Sequence, residues 1–402
     1  MTAVLMSADL PAGSLVDDAR PPADRPTPPR RGTWHQVPGR IRPPGAERVV
    51  VLVPAHNEAA SIAGTLRCVL DQERVPDLVV VIANNCTDDT AGIAATFPAP
   101  VLVLDVTVPR SHGKSRALNL AWQRHCTDAD LVVCLDADTA LPPNAIGDWV
   151  AEFQADPTLA GSSSKFTMLG GDLLTRLQRA EFARWTDTSL RRGWTSVLAG
   201  TGCAVRQSAL QAVVDGDGRD GPWSYSSQVE DFELTYRIRE RGWRCQVSPT
   251  VRAYTDSMKT VRALWGQRMK WQVGTVEDLL SFGADRWTLP DWRQQFAGLA
   301  AAVCRVGWVA LTVVALLLGV LTFHPVWLLL SVLFVANDVR QALRIPHRDR
   351  LDVVLAALLL PQEFFAWMRA AWFTAAWAEA LVGRFTHRSR DRWAMQYRAE
   401  GV

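Results

Sequence analysis

LVVCLDAD, residues 131–138, decides the fold: a short apolar run ends abruptly in two aspartates, Asp136 and Asp138. A run of this length, bounded by polar residues, is typical of a strand in the interior of a sheet. Three similar runs lie upstream, at 49–53, 78–83 and 101–106. Helical patterns separate the runs, at 60–70, 89–97 and 114–125. Strands that alternate with helices predict an α/β fold with a mostly parallel sheet flanked by helices.

Polar clusters follow three of these predicted strands, at 54–58, 84–89 and 136–139. In open parallel sheets, ligands bind outside the carboxyl ends of the strands. We therefore expect the three clusters to meet at one edge of the sheet and to form a binding site there.

The composition of the chain indicates which kinds of partner and which cellular compartment are expected. The chain has 402 residues and a net charge of only +2, so nothing indicates a nucleic-acid partner. Its seven cysteines form no C-x-x-C pair and are expected to be reduced, cytosolic thiols. No signal peptide is recognisable at the N-terminus. Residues 1–45 are rich in Pro and Arg without periodicity, which predicts a disordered arm.

The domain organisation changes along the chain. Residues 46–257 predict the main α/β domain, and 258–296 predict an amphipathic, interfacial helix region. Residues 297–382 predict transmembrane or re-entrant helices, and 383–402 a basic cytoplasmic tail. Residues 306–323 contain no charge over 18 residues, which is long enough to span a membrane. The alternative reading of these apolar segments is a buried helical subdomain.

The remaining apolar segments suggest a topology. A turn at 323–325 would make 306–337 a helical hairpin, and 351–382 reads as a re-entrant or interfacial helix pair broken near Pro361. With such a hairpin the arginine clusters fall on one side, which the positive-inside rule assigns to the cytoplasm. We expect a multi-pass protein of the cytoplasmic membrane whose α/β domain faces the cytoplasm.

Asp136 and Asp138 are candidate metal ligands. They stand two apart at a strand end, where the chain turns and both carboxylates can reach one cation. Hard carboxylate oxygens suit Mg²⁺ or Mn²⁺, which can bridge the phosphates of a nucleotide and neutralise a departing diphosphate. An Asp-x-Asp pair alone is also common in turns and helix caps.

Glu230 and Asp231 precede a helical pattern. A sugar hydroxyl that attacks an activated donor needs a base to take its proton, and a nearby carboxylate can do so. Asp231 is the candidate base. The alternative is an acidic helix N-terminus that complements the helix dipole.

Two basic segments are candidate anion sites. Lys114 opens a helix, and both the helix N-terminus and the ammonium group favour anions. Gln267, Arg268, Lys270 and Trp271 lie in an amphipathic stretch, where the basic pair can grip a pyrophosphate and the indole can stack on a sugar. The alternatives are a solvated lysine and an interfacial helix whose basic side chains reach toward water.

Taken together, these motifs resemble glycosyltransferase family 2, the inverting enzymes of GT-A fold, over residues 48–280. The resemblance makes 46–257 the catalytic domain. It assigns the nucleoside to the motif of Pro54, Ala55, His56, Asn57 and Glu58. Gly113 and Lys114 match a donor-binding segment that continues through Ala117, Leu118 and Asn119. The resemblance also makes Asp231 the general base beside Glu230.

Further positions match the family's pattern with two departures. Asn84 stands where many members have an Asp that accepts from uracil, and its amide oxygen can still accept. Gly200, Thr201 and Gly202 resemble the loop near the acceptor. Gln267, Arg268 and Trp271 match the Gln-x-x-Arg-Trp-type motif of membrane-embedded members, with Lys270 where Arg is usual. Lysine keeps the charge but loses the bidentate fork.

The motif of Gln267 and Trp271 is shared by the cellulose, chitin, hyaluronan and poly-N-acetylglucosamine synthases. The resemblance implies transfer of a hexose or N-acetylhexosamine from a UDP-sugar to a lipid-linked or saccharide acceptor, with Trp271 near both substrates and a β-linked product. Three alternatives stay open: a processive polysaccharide synthase, a polyprenyl-phosphate glycosyltransferase, and a non-catalytic sugar-binding membrane scaffold.

Overall fold

The computed structural model describes residues 34–38, 45–109, 112–322, 324–386 and 395–396. Most of the predicted arm 1–45 and of the predicted tail 383–402, and residue 323 of the predicted turn, lie outside the described residues. The chain divides into two compact units. The first comprises 1–169 and 185–257, and the second comprises 170–184 and 258–401.

The first unit is built on a seven-stranded sheet. The strands are β1 (Val49–Ala55), β2 (Leu78–Asn84), β3 (Val101–Val106), β4 (Leu131–Cys134), β5 (Leu159–Met168), β6 (Cys203–Arg206) and β7 (Arg244–Thr255). Their order in the sheet is β3-β2-β1-β4-β6-β5-β7. Only β6 runs antiparallel to its neighbours. The predicted mostly parallel α/β fold is therefore confirmed, and β1, β2 and β4 end at the same edge.

Helices cover this sheet. They are α1 (Ile62–Leu70), α2 (Thr90–Ala95), α3 (Gly113–His125), α4 (Ala145–Ala155), α6 (Gln207–Asp217) and α7 (Glu230–Glu240), while α5 (Leu173–Arg192) passes from one unit to the other. Leu52 and Ile82 of the sheet and Ile238 of α7 are fully buried in one core cluster. Each such side chain contributes about 1.5–3 kcal/mol by leaving water.

Strands β5, β6 and β7 were not predicted, because their sequences contain no clear apolar run. In β5, Ser162, Ser163 and Ser164 are fully buried. Ser162 Oγ donates to Glu152 Oε2 at 2.5 Å, and Ser163 Oγ accepts from the Ala199 amide at 3.2 Å. Partners of this kind let Ser162 and Ser163 lie inside the protein, because a buried hydroxyl costs little once it is hydrogen-bonded. The Ser164 hydroxyl is buried without a hydrogen-bond partner among the described residues.

A short N-terminal segment departs from the expected disorder. The His35 amide donates to the Gly242 carbonyl at 2.7 Å, and the Val37 amide donates to the Pro157 carbonyl at 3.0 Å. Val37 also packs against the core cluster of the first unit. Residues 34–38 are therefore held on this unit by backbone hydrogen bonds and one apolar contact.

The second unit is helical. Its helices are α8 (Val261–Phe282), α9 (Leu289–Leu317), α10 (Val326–Ala342), α11 (Arg350–Ala357) and α12 (Leu359–Thr386). Buried side chains of α8, including Leu264 and Val276, pack against Phe365 and Trp372 of α12. This packing gives the unit a small core of its own.

Helix α9 is apolar and exposed. Among the described residues it is the one helix that is long and apolar enough to cross a membrane alone, with mean hydropathy 2.1 over its most apolar window. The predicted span 306–323 is displaced, because α9 ends at Leu317 and Gly319 takes a left-handed φ of +67°. Helices α11 and α12 bend by 77° at Leu358, and Pro361 sits in the first turn of α12, where a missing N–H is tolerated.

Candidate active site

The loops after β1 and β2 are joined by side chains that were predicted to bind the donor. Asn57 Oδ1 accepts from the Thr87 amide at 2.7 Å. Glu58 accepts from the Ser61 hydroxyl at 2.5 Å, while its own amide donates to Thr90 Oγ1 at 2.8 Å. Asn57 and Glu58 therefore shape the site by holding one loop to the other.

Pro54, Ala55 and Asn84 lie at the strand ends that these loops extend. Pro54 and Ala55 belong to β1 itself and pair with Ile82 and Ala83 of β2. Asn84 is 8% exposed, and its amide oxygen is buried without a hydrogen-bond partner among the described residues. A buried acceptor left unpaired costs about 1–3 kcal/mol, so this oxygen is suited to receive an N–H from a ligand.

Lys114 lies between two carboxylates in the first turn of α3. Its Nζ donates to Asp136 Oδ1 at 2.9 Å and lies 3.5 Å from Glu230 Oε1. Burial lowers the pKa of the Lys114 ammonium, but the charges of Asp136, Glu230 and Asp231 outweigh burial and raise the pKa well above its usual value. The lysine is therefore charged, and it links the β4 loop to the start of α7.

The two aspartates of 131–138 have different surroundings. The Asp136 amide donates to the Gly200 carbonyl at 3.0 Å, which fixes the loop after β4. Burial raises the pKa of Asp138 to about 8, and the charges of Asp136, Glu58 and Asp256 add to that rise. Carboxylates crowded in this way are stabilised by a cation. Asp256, which follows β7, was not among the predicted residues, although its place after a strand end is the same signal.

Asp136 and Asp138 offer the oxygen ligands that Mg²⁺ or Mn²⁺ prefers. Among the described residues, no group of three or more His, Cys, Asp or Glu side chains is arranged to hold a metal ion. Mg²⁺ commonly takes only one or two carboxylates and completes its shell with water and substrate phosphates. The donor set therefore fits a metal that is shared with a diphosphate.

Gly200, Thr201 and Gly202 form the turn before β6. A Cβ on Gly200 would lie 3.0 Å from Lys114 Nζ and 3.3 Å from Asp136 Oδ1, so glycine leaves room for that ion pair. A Cβ on Gly202 would lie 3.2 Å from Ser164 Oγ. The Thr201 hydroxyl is buried without a hydrogen-bond partner in the part of the chain that the structure describes.

Glu230 and Asp231 begin α7 and line one pocket with Lys114, Asp136 and Gly200. Glu230 is buried at 6% exposure, and Asp231 Oδ1 accepts from the Phe232 amide at 2.8 Å. The helix N-terminus favours both negative charges. The predicted base, a predicted metal ligand and the predicted anion-binding lysine are thus brought together.

Trp223 also lines this pocket, and sequence reasoning did not single it out. Both backbone groups of Trp223 are held by Asn119: the amide donates to Asn119 Oδ1 at 3.0 Å, and the carbonyl accepts from Asn119 Nδ2 at 2.8 Å. Asn119 ends the Ala-Leu-Asn segment that carried part of the family resemblance. Its contribution is to position the pocket wall.

The motif of α8 lies in the second unit and is described by itself. Arg268 donates to Gln267 Oε1 at 2.9 Å and to Glu181 Oε2 at 2.8 Å. Its guanidinium lies 4.6 Å from the ring centroid of Trp271, and its side chain is 6% exposed. Lys270 is buried as well, at 5% exposure. The charge of Arg268 is therefore matched inside the protein, and its grip on a diphosphate stays a prediction.

The sequence matches a protein family and several known relatives. The model of "Glycosyltransferase like family 2" matches residues 44–274, more than half of the chain, including the α8 motif. The probable glycosyltransferase YdaM of Bacillus subtilis is 26% identical over 254 residues, which cover 60% of this chain and 58% of that protein. The poly-beta-1,6-N-acetyl-D-glucosamine synthase of Staphylococcus aureus is 25% identical over 239 residues, covering 58% of this chain and 56% of the synthase.

A solved structure shows the same fold. The mannosyltransferase PcManGT from Pyrobaculum calidifontis, in complex with GDP-Man and Mn²⁺, superposes with a TM-score of 0.58 at 20% identity. The superposition covers 87% of this chain and 91% of that one. The chain spans less than two thirds of the length of the two sequence relatives. Since the family model matches most of the first unit and the α8 motif, the chain belongs to glycosyltransferase family 2.

Proposed function

We propose that the chain is an inverting, metal-dependent glycosyltransferase. It would move a hexose or N-acetylhexosamine from a UDP-sugar to a lipid-linked or saccharide acceptor and form a β-glycosidic bond. The observation that carries this proposal is the pocket in which Lys114 joins Asp136 to Glu230 and Asp231 stands beside them.

The reaction is a single displacement. The acceptor hydroxyl gives its proton to the Asp231 carboxylate while its oxygen bonds to the anomeric carbon from the face opposite the diphosphate. The bond from that carbon to the diphosphate breaks, and its electron pair leaves with the diphosphate. Lys114 can carry part of the leaving charge. Asp136 and Asp138 would hold Mg²⁺ or Mn²⁺, which when bound neutralises the diphosphate.

The choice of UDP rests on Asn84. Its buried amide oxygen can accept from the N3–H of uracil. Guanine presents an N–H in the same way, and the mannosyltransferase of related fold is complexed with GDP-Man. A donor test therefore needs UDP-sugars and GDP-sugars side by side.

The acceptor is proposed from a sequence relative, and the membrane location is proposed from the apolar helices of the second unit. A polysaccharide synthase among the relatives favours a saccharide acceptor, and with it a processive synthase as the second candidate. Helix α9, with its exposed apolar side chains, supports attachment to the cytoplasmic membrane, and a multi-pass arrangement would add the bent pair α11–α12.

The test uses detergent-purified full-length chain with a panel of UDP- and GDP-sugars, with and without Mn²⁺ or Mg²⁺. Release of the nucleoside diphosphate reports transfer. Asp231→Asn should lower the transfer rate by about 10²–10⁴-fold while nucleotide binding survives, because only the proton acceptor is lost. Asp128→Asn is the matched control, since that side chain is 60% exposed at the surface.

Near-normal transfer by Asp231→Asn would refute the assignment of the base. Absence of any release by the unmodified chain across the panel would favour the scaffold.

A further inference from the structure

The ammonium of Lys114 occupies the electrostatic centre of the donor pocket. It is 2.9 Å from Asp136 Oδ1 and 3.5 Å from Glu230 Oε1, so one lysine neutralises acids from two separate elements. The side chains of Lys114 and Glu230 are only 21% and 8% exposed. In such partly buried surroundings an ion pair is much stronger than at the surface.

A metal ion that arrives alone would be attracted by the crowded carboxylates, but it would find few protein ligands with which to complete its coordination shell. Asp136 is already paired with Lys114, and Asp138 accepts from Thr255 Oγ1 at 3.3 Å. No third His, Cys, Asp or Glu side chain completes a metal site with them among the described residues. The missing ligands would have to come from the phosphates of the donor and from water.

We infer that Lys114 is the resident counter-ion of Asp136 in the donor-free protein, so that the metal enters with the diphosphate and not ahead of it. This inference rests on the proposed function and deepens it. The diphosphate offers Lys114 a new anionic partner, and the flexible four-carbon stem lets the ammonium turn toward it. Asp136 is then released to the metal at the moment when the metal's other ligands arrive.

The turn at Gly200 is built to allow this exchange. A Cβ there would lie 3.0 Å from Lys114 Nζ and 3.3 Å and 3.4 Å from the two carboxyl oxygens of Asp136. Any side chain would therefore press on both members of the pair. Because glycine has no side chain, the Lys114 ammonium has room to lie beside Asp136 and also room to move away from it.

The inference is tested on the full-length protein with two probes. The first is Mn²⁺ alone, measured through the electron paramagnetic resonance signal of the free ion. The second is UDP, with GDP in parallel, at saturating Mn²⁺. Lys114→Met should bind Mn²⁺ alone about tenfold more tightly, because removing a positive charge several ångströms away strengthens the attraction of the acids. The same variant should bind the nucleoside diphosphate about tenfold more weakly.

Two further variants complete the design. Lys114→Arg keeps the charge and should retain the weak binding of Mn²⁺ alone. Lys259→Met removes an exposed lysine of the second unit and should change neither affinity. Should Lys114→Met fail to fold by circular dichroism, Lys114→Gln serves in the same comparison.

Opposite shifts in the two affinities support the inference, since general damage would weaken both. It is overturned if Mn²⁺ alone binds the unmodified chain as tightly as Lys114→Met, or if both affinities fall together in a folded variant. The proposed function fails separately, if the unmodified chain binds neither nucleotide and transfers no sugar from the panel.

Discussion

Asn119 is a structural support for the catalytic pocket, and its removal should impair both stability and turnover. Asn119 and Trp223 are 104 residues apart in the sequence, and they are joined by two hydrogen bonds of 2.8 and 3.0 Å. Asn119 is 1% exposed and Trp223 is 4% exposed. In Asn119→Ala, the backbone N–H and C=O of Trp223 would both lose their partners in a buried place.

The loss of stability in Asn119→Ala can be worked out from the N–H and C=O groups of Trp223. Each buried group left unpaired costs about 1–3 kcal/mol, and partial entry of water reduces the sum to about 2–4 kcal/mol. For a domain of this size that lowers the melting temperature by about 4–16 °C. Trp223 lines the pocket with Asp231, so kcat/KM should also fall, by roughly tenfold to a hundredfold for a displacement of about 1 Å.

Thermal unfolding in detergent and diphosphate release measure the two effects. Asn144→Ala is the matched control. The Asn144 side chain donates to the Asp148 side chain at 2.8 Å, so its removal leaves no backbone group unpaired. It should cost less than about 1 kcal/mol.

Gly221 gives a sharper check on the same contact. A Cβ on Gly221 would overlap the Asn119 side chain, so Gly221→Ala alone should be destabilising. The Asn119 Cβ would itself lie 2.6 Å from the added methyl, so the overlap is removed only in the Asn119→Gly background, where Gly221→Ala should cost little. Additive losses within about 0.5 kcal/mol would mean that the two residues do not act through this contact, and would refute the reasoning.

Two further outcomes are expected. Asn84→Asp replaces a group that donates and accepts with one that only accepts, so the preference for UDP over CDP should rise about tenfold in competition binding, and an unchanged ratio would remove Asn84 from base recognition. Burial raises the pKa of Glu152 above its usual 4.5. Hydrogen bonds from Ser162, Ser248 and Gln246 lower this pKa, but by less than burial raises it. The folded protein then binds this proton more tightly than the unfolded chain, so stability falls as pH rises from 4.5 through the folded pKa, and Glu152→Gln should flatten that fall in melts across pH 4–8.

The first four strands could be predicted because each is a run of mostly apolar residues, and β1, β2 and β4 are buried almost throughout. Val49–Ala55 is buried on both faces almost throughout and reads as a continuous apolar run. The last three strands could not be predicted in this way. Strand β5 buries three consecutive serines, and partners such as Glu152 and Ala199 are distant in sequence or in an irregular segment. The hydrophobic pattern of a sequence does not predict hydrogen bonds between such residues.

Part of the candidate site could be predicted from the sequence, and part could not. Asp136 follows a strand end, so its place at the site was predictable from topology. Glu230 and Asp231 open α7, and the hydrophobic pattern did not predict that they meet Lys114. The joining of Asn57 to Thr87 and of Asn119 to Trp223 depends on loops that meet only in the folded chain. Donor binding by Asn57 stays a prediction, while the structure shows that its amide oxygen accepts from the Thr87 amide.

Arg268 was predicted to bind the donor, and within the second unit it also contacts other side chains. Its guanidinium is paired with Glu181 at 2.8 Å and lies over the rings of Phe182 and Trp271, at 5.0 and 4.6 Å from their centroids. A cation held on two aromatic faces and a carboxylate orients the indole as much as it balances charge. Lysine could not replace it, because one ammonium cannot contact both rings and the carboxylate in a planar fork. If Trp271 contacts a sugar, Arg268 therefore sets the position of that indole.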